Sequence, residues 1–275
     1  MLWADLHLHS NYSDGSWSPE QLLKRAKEKK LDCISLVDHD CVDGISSLID
    51  LAKLNEIEII PGVELTAEIN GIEMHILGYF IDWQDTYLKN HLEKFKKIRL
   101  ERIYQMCEKL KTLGININPE EVISSSGHGT VGRLHLAKMM QEKGYVSTTN
   151  EAFYKYISDQ GPAYVGKSRL SPEEAVKLVL DVKGLPVLAH PYSLRKDELI
   201  PDLVKFGLKG IEVYYPEHTP SLTKKYENIC QDYSLLMTGG SDCHGNSKDE
   251  VLIGKIKIPY KLVEKLKEAK SKMFG

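Results

Sequence analysis

Along the first third of the chain, short apolar runs alternate with amphipathic stretches of helical period, the pattern of β-α-β units forming a parallel sheet or barrel. Trp3 to Leu8 predicts a strand, and Ser18-Pro19-Glu20-Gln21 supplies an N-cap, a proline at the first helical position and a capping-box partner for a helix reaching Lys30. Cys33 to Val37 is the next expected strand and Asp43 to Leu54 the next helix. Ile57 to Ile60 leads through Pro61-Gly62 to Val63-Glu64, and two further β-like runs flank Asn70-Gly71, a hairpin turn signal.

The character changes after Phe80. From Asp85 to Gly114 the apolar residues Leu88, Leu92, Phe95, Ile98, Met106 and Leu110 recur at helical spacing among lysines and arginines, which predicts a long surface helix. Asn118-Pro119-Glu120-Glu121 caps a short helix, and Gly132 to Lys143 and Asn150 to Ser158 have helical character. Ser171-Pro172-Glu173-Glu174 repeats the capping pattern and the β-α rhythm returns. Strands are expected at Leu185 to Ala189, Gly210 to Tyr215 and Leu235 to Thr238, and a helix from Tyr260 to Met273. The expected organisation is an α/β barrel made of residues 1–81 and 169–275, with an all-helical insertion at 82–168 serving as a cap.

A chain of 275 residues can bury the core of such a barrel. Its net charge of -3 gives no global reason to expect tight binding to nucleic acid or membrane, so an anionic substrate must be held locally. The basic stripe from Lys89 to Arg102 reads as the wet face of a helix. No basic leader precedes Asp5 and no apolar run has the length of a membrane span, so a cytoplasmic location, no membrane association and no stable protein partner are expected. Cys33, Cys41, Cys107, Cys230 and Cys243 form no C-x-x-C pair, which leaves neither a disulfide framework nor a thiolate zinc knuckle. Cys243, between Asp242 and His244, is either a metal contact or an incidental packed thiol.

The chemistry resides in histidines at predicted strand ends. Residues two apart on a strand share a face, so Asp5, His7 and His9 point one way while Leu6 and Leu8 point the other. In a barrel of parallel strands the C-terminal ends converge on one mouth. That would gather Asp14, Asp38-His39, Glu64, His75, His190 and Asp242-x-His244 beside the His7-x-His9 pair. Mixed imidazole and carboxylate donors suit zinc, manganese or iron. The candidates outnumber one ion's needs, with Glu64 placed to bridge. Two ions roughly 3.5 to 4 Å apart would stabilise the attacking and leaving oxygens of an in-line displacement, which phosphate ester hydrolysis needs most.

Asp5-Leu-His7-Leu-His9-Ser, Ser13-Asp14-Gly15, Val37-Asp38-His39-Asp40, Pro61-Gly62-Val63-Glu64, His75-Ile-Leu-Gly78-Tyr79, Ala189-His190-Pro191 and Gly240-Ser241-Asp242-x-His244 resemble the motifs of the PHP family, named for polymerase and histidinol phosphatase. Arg99-x-x-Arg102 and Gly132-Arg133-x-His135 resemble its TrpH-like branch, although Leu134 stands where that branch has proline. The resemblance implies a distorted (β/α)7 barrel with two or three divalent metal ions. By it, His7, His9, Glu64 and Asp242 hold the first; Glu64, His75 and His190 the second; Asp14, His39 and His244 the third, Asp14 replacing a histidine of some relatives. Asp5 and Asp38 are expected to orient imidazoles from behind.

Arg133 is the candidate for bidentate phosphate binding, and His135 for assisting it or protonating the leaving oxygen. His190 and Asp242 join them as candidate catalytic residues. Lys167 and Arg169 either add positive charge at the mouth or form a solvated basic patch. Tyr79, Tyr164 and Tyr192 are read as packing residues rather than base-stacking ones. The expected activity is hydrolysis of a phosphomonoester of a nucleotide or short oligonucleotide, such as a nucleoside 3′,5′-bisphosphate, by a metal-activated hydroxide. Its rivals are a histidinol-phosphate phosphatase, a 5′ to 3′ exonuclease, and a metal-binding regulatory module that has lost the chemistry; ligand loss would mark the last, and no ligand is missing.

Overall fold

The computed structural model describes all residues except 54, 128–130, 159, 167–169 and 248–250. The chain forms two compact units, residues 1–89 with 169–275, and residues 90–168. Among the described residues no helix is long and apolar enough to cross a membrane.

The first unit is built on eight strands: β1 (Trp3–Leu8), β2 (Cys33–Leu36), β3 (Glu58–Ile69), β4 (Ile72–Tyr79), β5 (Leu185–Leu188), β6 (Gly210–Tyr214), β7 (Leu236–Gly239) and β8 (Ile258–Pro259). They form one sheet in the order β7-β6-β5-β4-β3-β2-β1-β8. This sheet curls into a nearly closed barrel. Backbone bonds from His9 N to Cys243 O (3.0 Å) and from Cys243 N to His7 O (3.3 Å) tie the segment after β7 to the upper half of β1. The antiparallel β8 pairs with Trp3 and Ala4 along the lower half. Gly240 makes this approach possible, because a Cβ there would lie 2.3 Å from the Cβ of His7 and 2.4 Å from its backbone nitrogen.

Strand β4 runs antiparallel to both β3 and β5, its pairing with β3 being the hairpin that Asn70-Gly71 predicts. The cause is the short turn at Asn70 (φ 52°) and Gly71 (φ 79°), two consecutive left-handed residues that can only reverse the chain. The runs on either side of Pro61-Gly62 also merge into one twelve-residue strand, β3. Its first part pairs with β2 through Glu58 to Pro61, and its remainder forms the hairpin with β4. Reversal brings His75, in the first half of β4, beside the C-terminal end of β5, where Ala189 N donates to the His75 carbonyl at 3.1 Å.

Helices α1 (Pro19–Glu28) and α2 (Gly44–Ala52) follow the first two strands. The capping box of Ser18 and Gln21 forms as the sequence predicts. The second unit begins within α3 (Thr86–Thr112) and continues through α4 (Pro119–Ser125), α5 (Arg133–Glu142), α6 (Thr149–Ala152) and a π turn over Phe153–Ile157. It has its own core, in which Ile103, Met106, Leu110, Val122, Leu136 and Met140 are buried. Arg102 departs from the expected wet face of α3: it is buried, and its Nε donates to the Val165 carbonyl at 2.8 Å. Back in the first unit, α7 (Pro172–Asp181) repeats the capping box with Ser171 and Glu174. Then come α8 (Pro191–Leu194), α9 (Ile200–Phe206), α10 (Pro220–Asp232) and α11 (Lys261–Phe274), the last packing Leu262, Val263 and Leu266 onto the barrel.

Replacing Gly240 with alanine forces a methyl group against β1. It should lower stability by about 1–3 kcal/mol, the usual cost of overpacking, read as a lower melting midpoint in thermal unfolding. An unchanged midpoint would mean that the seam yields freely.

Candidate metal centre

Each of the strands around the barrel mouth delivers one or two polar side chains. His7 and His9 come from β1 and the residue after it, His39 from beyond β2, Glu64 from β3, His75 from β4, His190 from beyond β5, and Asp242 and His244 from beyond β7. Glu64 is fully buried and lies at their centre. Its Oε2 is 3.1 Å from His7 Nε2, 3.1 Å from His9 Nε2 and 3.3 Å from His39 Nδ1. Its Oε1 is 2.8 Å from His75 Nδ1 and 3.1 Å from His190 Nε2.

Three groups of donor atoms, each with members within 4.8 Å of one another, emerge: His7, His9, Glu64 and Asp242; His39, Glu64 and His75; and His9, Asp14, His39 and His244. The first unites the four residues expected at the first ion. His190, expected at the second, is 3.3 Å from His75 Nδ1 as well as beside Glu64. In the third group His244 Nε2 is 3.2 Å and His39 Nε2 3.9 Å from the carboxylate oxygens of Asp14. His39 thus presents one ring nitrogen to Asp14 and the other to Glu64.

The donor set fits divalent metal. Metal bonds of about 2.0–2.2 Å to nitrogen and oxygen place neighbouring ligand atoms about 3–4 Å apart, the spacing found here. The Nε2 atoms of His7 and His9 face each other at 3.1 Å beside one carboxylate oxygen, and the buried Nδ1 atoms of His9 and His39 have no hydrogen-bond partner among the described residues. Lone pairs converge where a cation would satisfy them.

The same crowding displaces the acid-base behaviour of the groups. Burial opposes charge on His9, but Asp242 and Glu64 outweigh it and push the imidazole up to about 9. For His75 burial is likewise outweighed, by Glu64 and Glu73, and the ring is pushed up to about 10. His39 goes the other way, to about 3, because burial dominates and His9 and His75 add like charge. Burial works against the ionised forms of Glu64, Asp14 and Asp242, yet their imidazole neighbours hold all three carboxyls well below the usual range.

Asp5 and Asp38 do not take the role expected of them, because among the described residues neither hydrogen-bonds an imidazole. Asp5 lies one layer deeper on the face of His7 and accepts the backbone N–H groups of Ser241 (2.8 Å) and Gly254 (3.1 Å). Asp38 accepts Ser10 N (2.7 Å), Ser10 Oγ (2.6 Å) and Ser13 Oγ (2.5 Å). The partners of the imidazoles are other residues. Glu212 Oε1 is 2.9 Å from His7 Nδ1, Ser193 Oγ is 2.9 Å from His190 Nδ1, and Glu73 is 3.2 Å from His75 Nε2. The Tyr215 hydroxyl donates to Asp242 Oδ2 at 3.0 Å. Sequence reasoning missed Glu212, and the signal was a lone carboxylate inside the apolar run of β6, between the buried Ile211 and Val213. Cys243 belongs to none of the donor groups; its sulfur is buried and accepts from Gly245 N at 3.4 Å.

Arg133 and His135 lie in the second unit. The Arg133 guanidinium donates to the Ile157 carbonyl at 3.2 Å and covers the Phe153 and Tyr164 rings at 5.7 and 5.8 Å. His135 Nδ1 accepts the Gly132 N–H at 3.2 Å, which places the neutral ring's proton on Nε2. Lys167 and Arg169 lie outside the described residues. Tyr79 is buried, with its hydroxyl on the Leu6 carbonyl at 3.0 Å, in keeping with packing.

A model of the PHP domain matches residues 5–155. The chain belongs to the PHP family. Among its relatives within the family, the phosphoribosyl 1,2-cyclic phosphate 1,2-diphosphodiesterase of Eggerthella lenta is 29% identical over 250 residues, covering 88% of this chain and 94% of that one. The 3′,5′-nucleoside bisphosphate phosphatase of Chromobacterium violaceum is 30% identical over 255 residues, covering 87% and 86%. A solved structure from Bifidobacterium adolescentis, described as a metal-dependent phosphoesterase, superposes with a TM-score of 0.85 at 26% identity, covering 96% of this chain and 94% of that one. This PHP protein, with its clustered histidines and carboxylates, is a metal-dependent phosphoesterase.

Protons and metal compete for the same ring nitrogens. With His9 near 9 and His75 near 10, the metal-free centre is protonated at neutral pH, so metal uptake must release protons and affinity must fall as pH falls. Calorimetric titration with zinc at pH 7 should give an apparent enthalpy that changes with the ionisation enthalpy of the buffer. Identical enthalpies in two unlike buffers would refute this.

Proposed function

We propose that this chain hydrolyses a phosphomonoester of a nucleotide or short oligonucleotide, with a nucleoside 3′,5′-bisphosphate as representative substrate. The observation that carries the reading is the position of Glu64, whose two oxygens face separate sets of imidazoles, as a carboxylate shared between neighbouring cations must. His7, His9, Glu64 and Asp242 would hold one ion, Glu64, His75 and His190 a second, and Asp14, His39 and His244 a third; zinc, manganese and iron suit these donors. Bound there, such ions supply an acidified water and neutralise charge on the phosphoryl group. The ester P–O bond breaks, water adds to phosphorus, and the products are inorganic phosphate and a free hydroxyl.

The chain's own residues supply position and protons. His190 and Asp242, at φ 25° and 51°, occupy left-handed backbone held by its surroundings, the kind of local strain that fixed site geometry tolerates. Arg133 binds substrate phosphate in this reading, its guanidinium already ordered by the Ile157 carbonyl and two aromatic faces. His135, with its proton on Nε2, is the donor for the leaving oxygen. The second unit then serves as the part that selects substrate. A cytoplasmic location accords with nucleotide substrates.

Replacing His9 or Glu64 with alanine should reduce turnover to background and lower bound metal while the protein stays folded; undiminished hydrolysis in either variant would sink the assignment. Arg133→Ala should raise KM and spare metal content, and loss of metal would instead make the residue structural. Substrate is decided by metal analysis of the purified protein and a panel of nucleoside 3′,5′-bisphosphates, mononucleotides, cyclic phosphodiesters, histidinol phosphate and 5′-phosphorylated RNA. Faster turnover of histidinol phosphate or of the diesters than of the bisphosphates would overturn the substrate proposed here.

A further inference from the structure

We infer that Glu212 is the positioning residue that locks His7 and His190 into ligating geometry together, so that one buried carboxylate couples two of the metal positions. The inference rests on the metal-centre reading above. Glu212 is fully buried within β6, and its two oxygens are divided between two ligand-bearing segments. Oε1 is 2.9 Å from His7 Nδ1, and Oε2 accepts the backbone N–H of His190 at 2.8 Å. A carboxylate only accepts, so His7 must carry a proton on Nδ1, which leaves Nε2 as the atom turned toward His9, Glu64 and Asp242. The second bond holds His190 at φ 25° and ψ 61°, a backbone conformation that L-residues rarely adopt, and this directs its Nε2 at Glu64 Oε1.

Local backbone geometry supports the assignment. The pairing of β1 with β2 shifts register between Asp5 and Leu8, and that of β6 with β7 shifts between Glu212 and Tyr214. His7 and Glu212 therefore sit in or beside the two irregular segments, the kind of feature that re-aims a side chain next to a site. The His7 and His190 rings stack at 5.8 Å and 25°, so the two ligands that Glu212 holds also support each other. Packing alone does not account for a carboxylate here, because an apolar side chain of similar size would fill the same space without the cost of burying a charge. Glu212 thus repeats beneath the ligands the division that Glu64 makes among them.

The test is Glu212→Gln, which preserves size but offers one acceptor and one donor where two acceptors are required. Zinc binding measured by competition with a chelator, with bound equivalents counted by elemental analysis, should show affinity reduced about 10- to 100-fold, the usual effect of losing a partner behind a metal ligand. The loss should fall on the positions of His7 and His190 and spare that of Asp14, His39 and His244. In the zinc-loaded protein one of the two protons that Glu212 accepts, on His7 Nδ1 or on the His190 amide, should lose its hydrogen-bonded shift by NMR, with the far-ultraviolet circular dichroism unchanged. Should the glutamine variant fail to fold, Glu212→Asp carries the same measurement, since its shorter arm cannot span both partners. A folded variant with wild-type affinity and both protons unshifted overturns the inference, even if its melting midpoint has dropped, because Glu212 would then be a packing residue. Failure of the unsubstituted protein to bind zinc would sink the metal-centre reading itself, and this inference with it.

Discussion

A carboxylate with no solvent exposure has to be neutralised by what surrounds it, since an unpaired buried charge costs far more than a fold of this size can absorb. Glu64 is in that position, and the architecture of the barrel mouth follows from it. Imidazoles from β1, from beyond β2, from β4 and from beyond β5 lie 2.8 to 3.3 Å from its oxygens. No single stretch of chain could supply them. They meet because parallel strands end at one mouth and because β4, reversed by the Asn70-Gly71 turn, brings His75 beside the C-terminal end of β5. The seam at Gly240 belongs to the same requirement, for it brings Asp242 and His244 against His7 and His9.

The crowding is self-consistent only with positive charge among the carboxylates. Without metal, protons take that part: His9 and His75 are held charged near neutral pH, whereas His39 is held neutral by burial, with like charge on His9 and His75 adding to it. Metal ions in place of the protons would satisfy the same carboxylates and also use the lone pair that a neutral His39 keeps on one ring nitrogen. The centre is therefore arranged for more cationic charge than protonated imidazoles alone supply. This gives the excess of ligands a physical meaning beyond their number.

The parts of the structure governed by local rules were legible in the sequence. Ser18 and Ser171 form their capping boxes, Asn70-Gly71 forms its turn, and His7 and His9 share a strand face because the side-chain period is two. What escaped depends on partners distant in the chain. The turn signal shows that the chain reverses after β3 but not that the reversed strand will also pair with β5 within a mostly parallel barrel. The continuity of β3 through Pro61-Gly62 was hidden because both residues usually interrupt strands; here β2 and β4 flank them and supply the pairing. Helices α8 and α9 are too short to show a helical period, whereas α10 carried its own signal, an N-cap at Thr219 followed by Pro220, that the sequence reading passed over. Glu212 carried no motif, and its meaning appears only when β6 stands beside β1. The donors of the His7, His9, Glu64 and Asp242 group were readable one by one as strand-end residues, whereas their division among ions was taken from family resemblance.

The expectation for Asp5 and Asp38 failed in an informative way. Both are buried carboxylates near the ligands, as anticipated, yet they hold backbone and hydroxyl groups rather than rings. Asp5 fixes the Ser241 N–H, one residue before the left-handed Asp242; Asp38 fixes Ser10 and Ser13, which carry the loop to Asp14; Glu212 fixes the His190 N–H. Three acidic side chains thus each anchor one ligand-bearing loop. Hydrogen bonds from N–H groups to a buried carboxylate are short, charge-assisted and hard to replace with water. They allow residues such as His190 and Asp242 to remain in conformations that an unsupported loop would abandon. The ligands determine which ions the centre can take, and this deeper layer of carboxylates determines that the ligands are in place before any ion arrives.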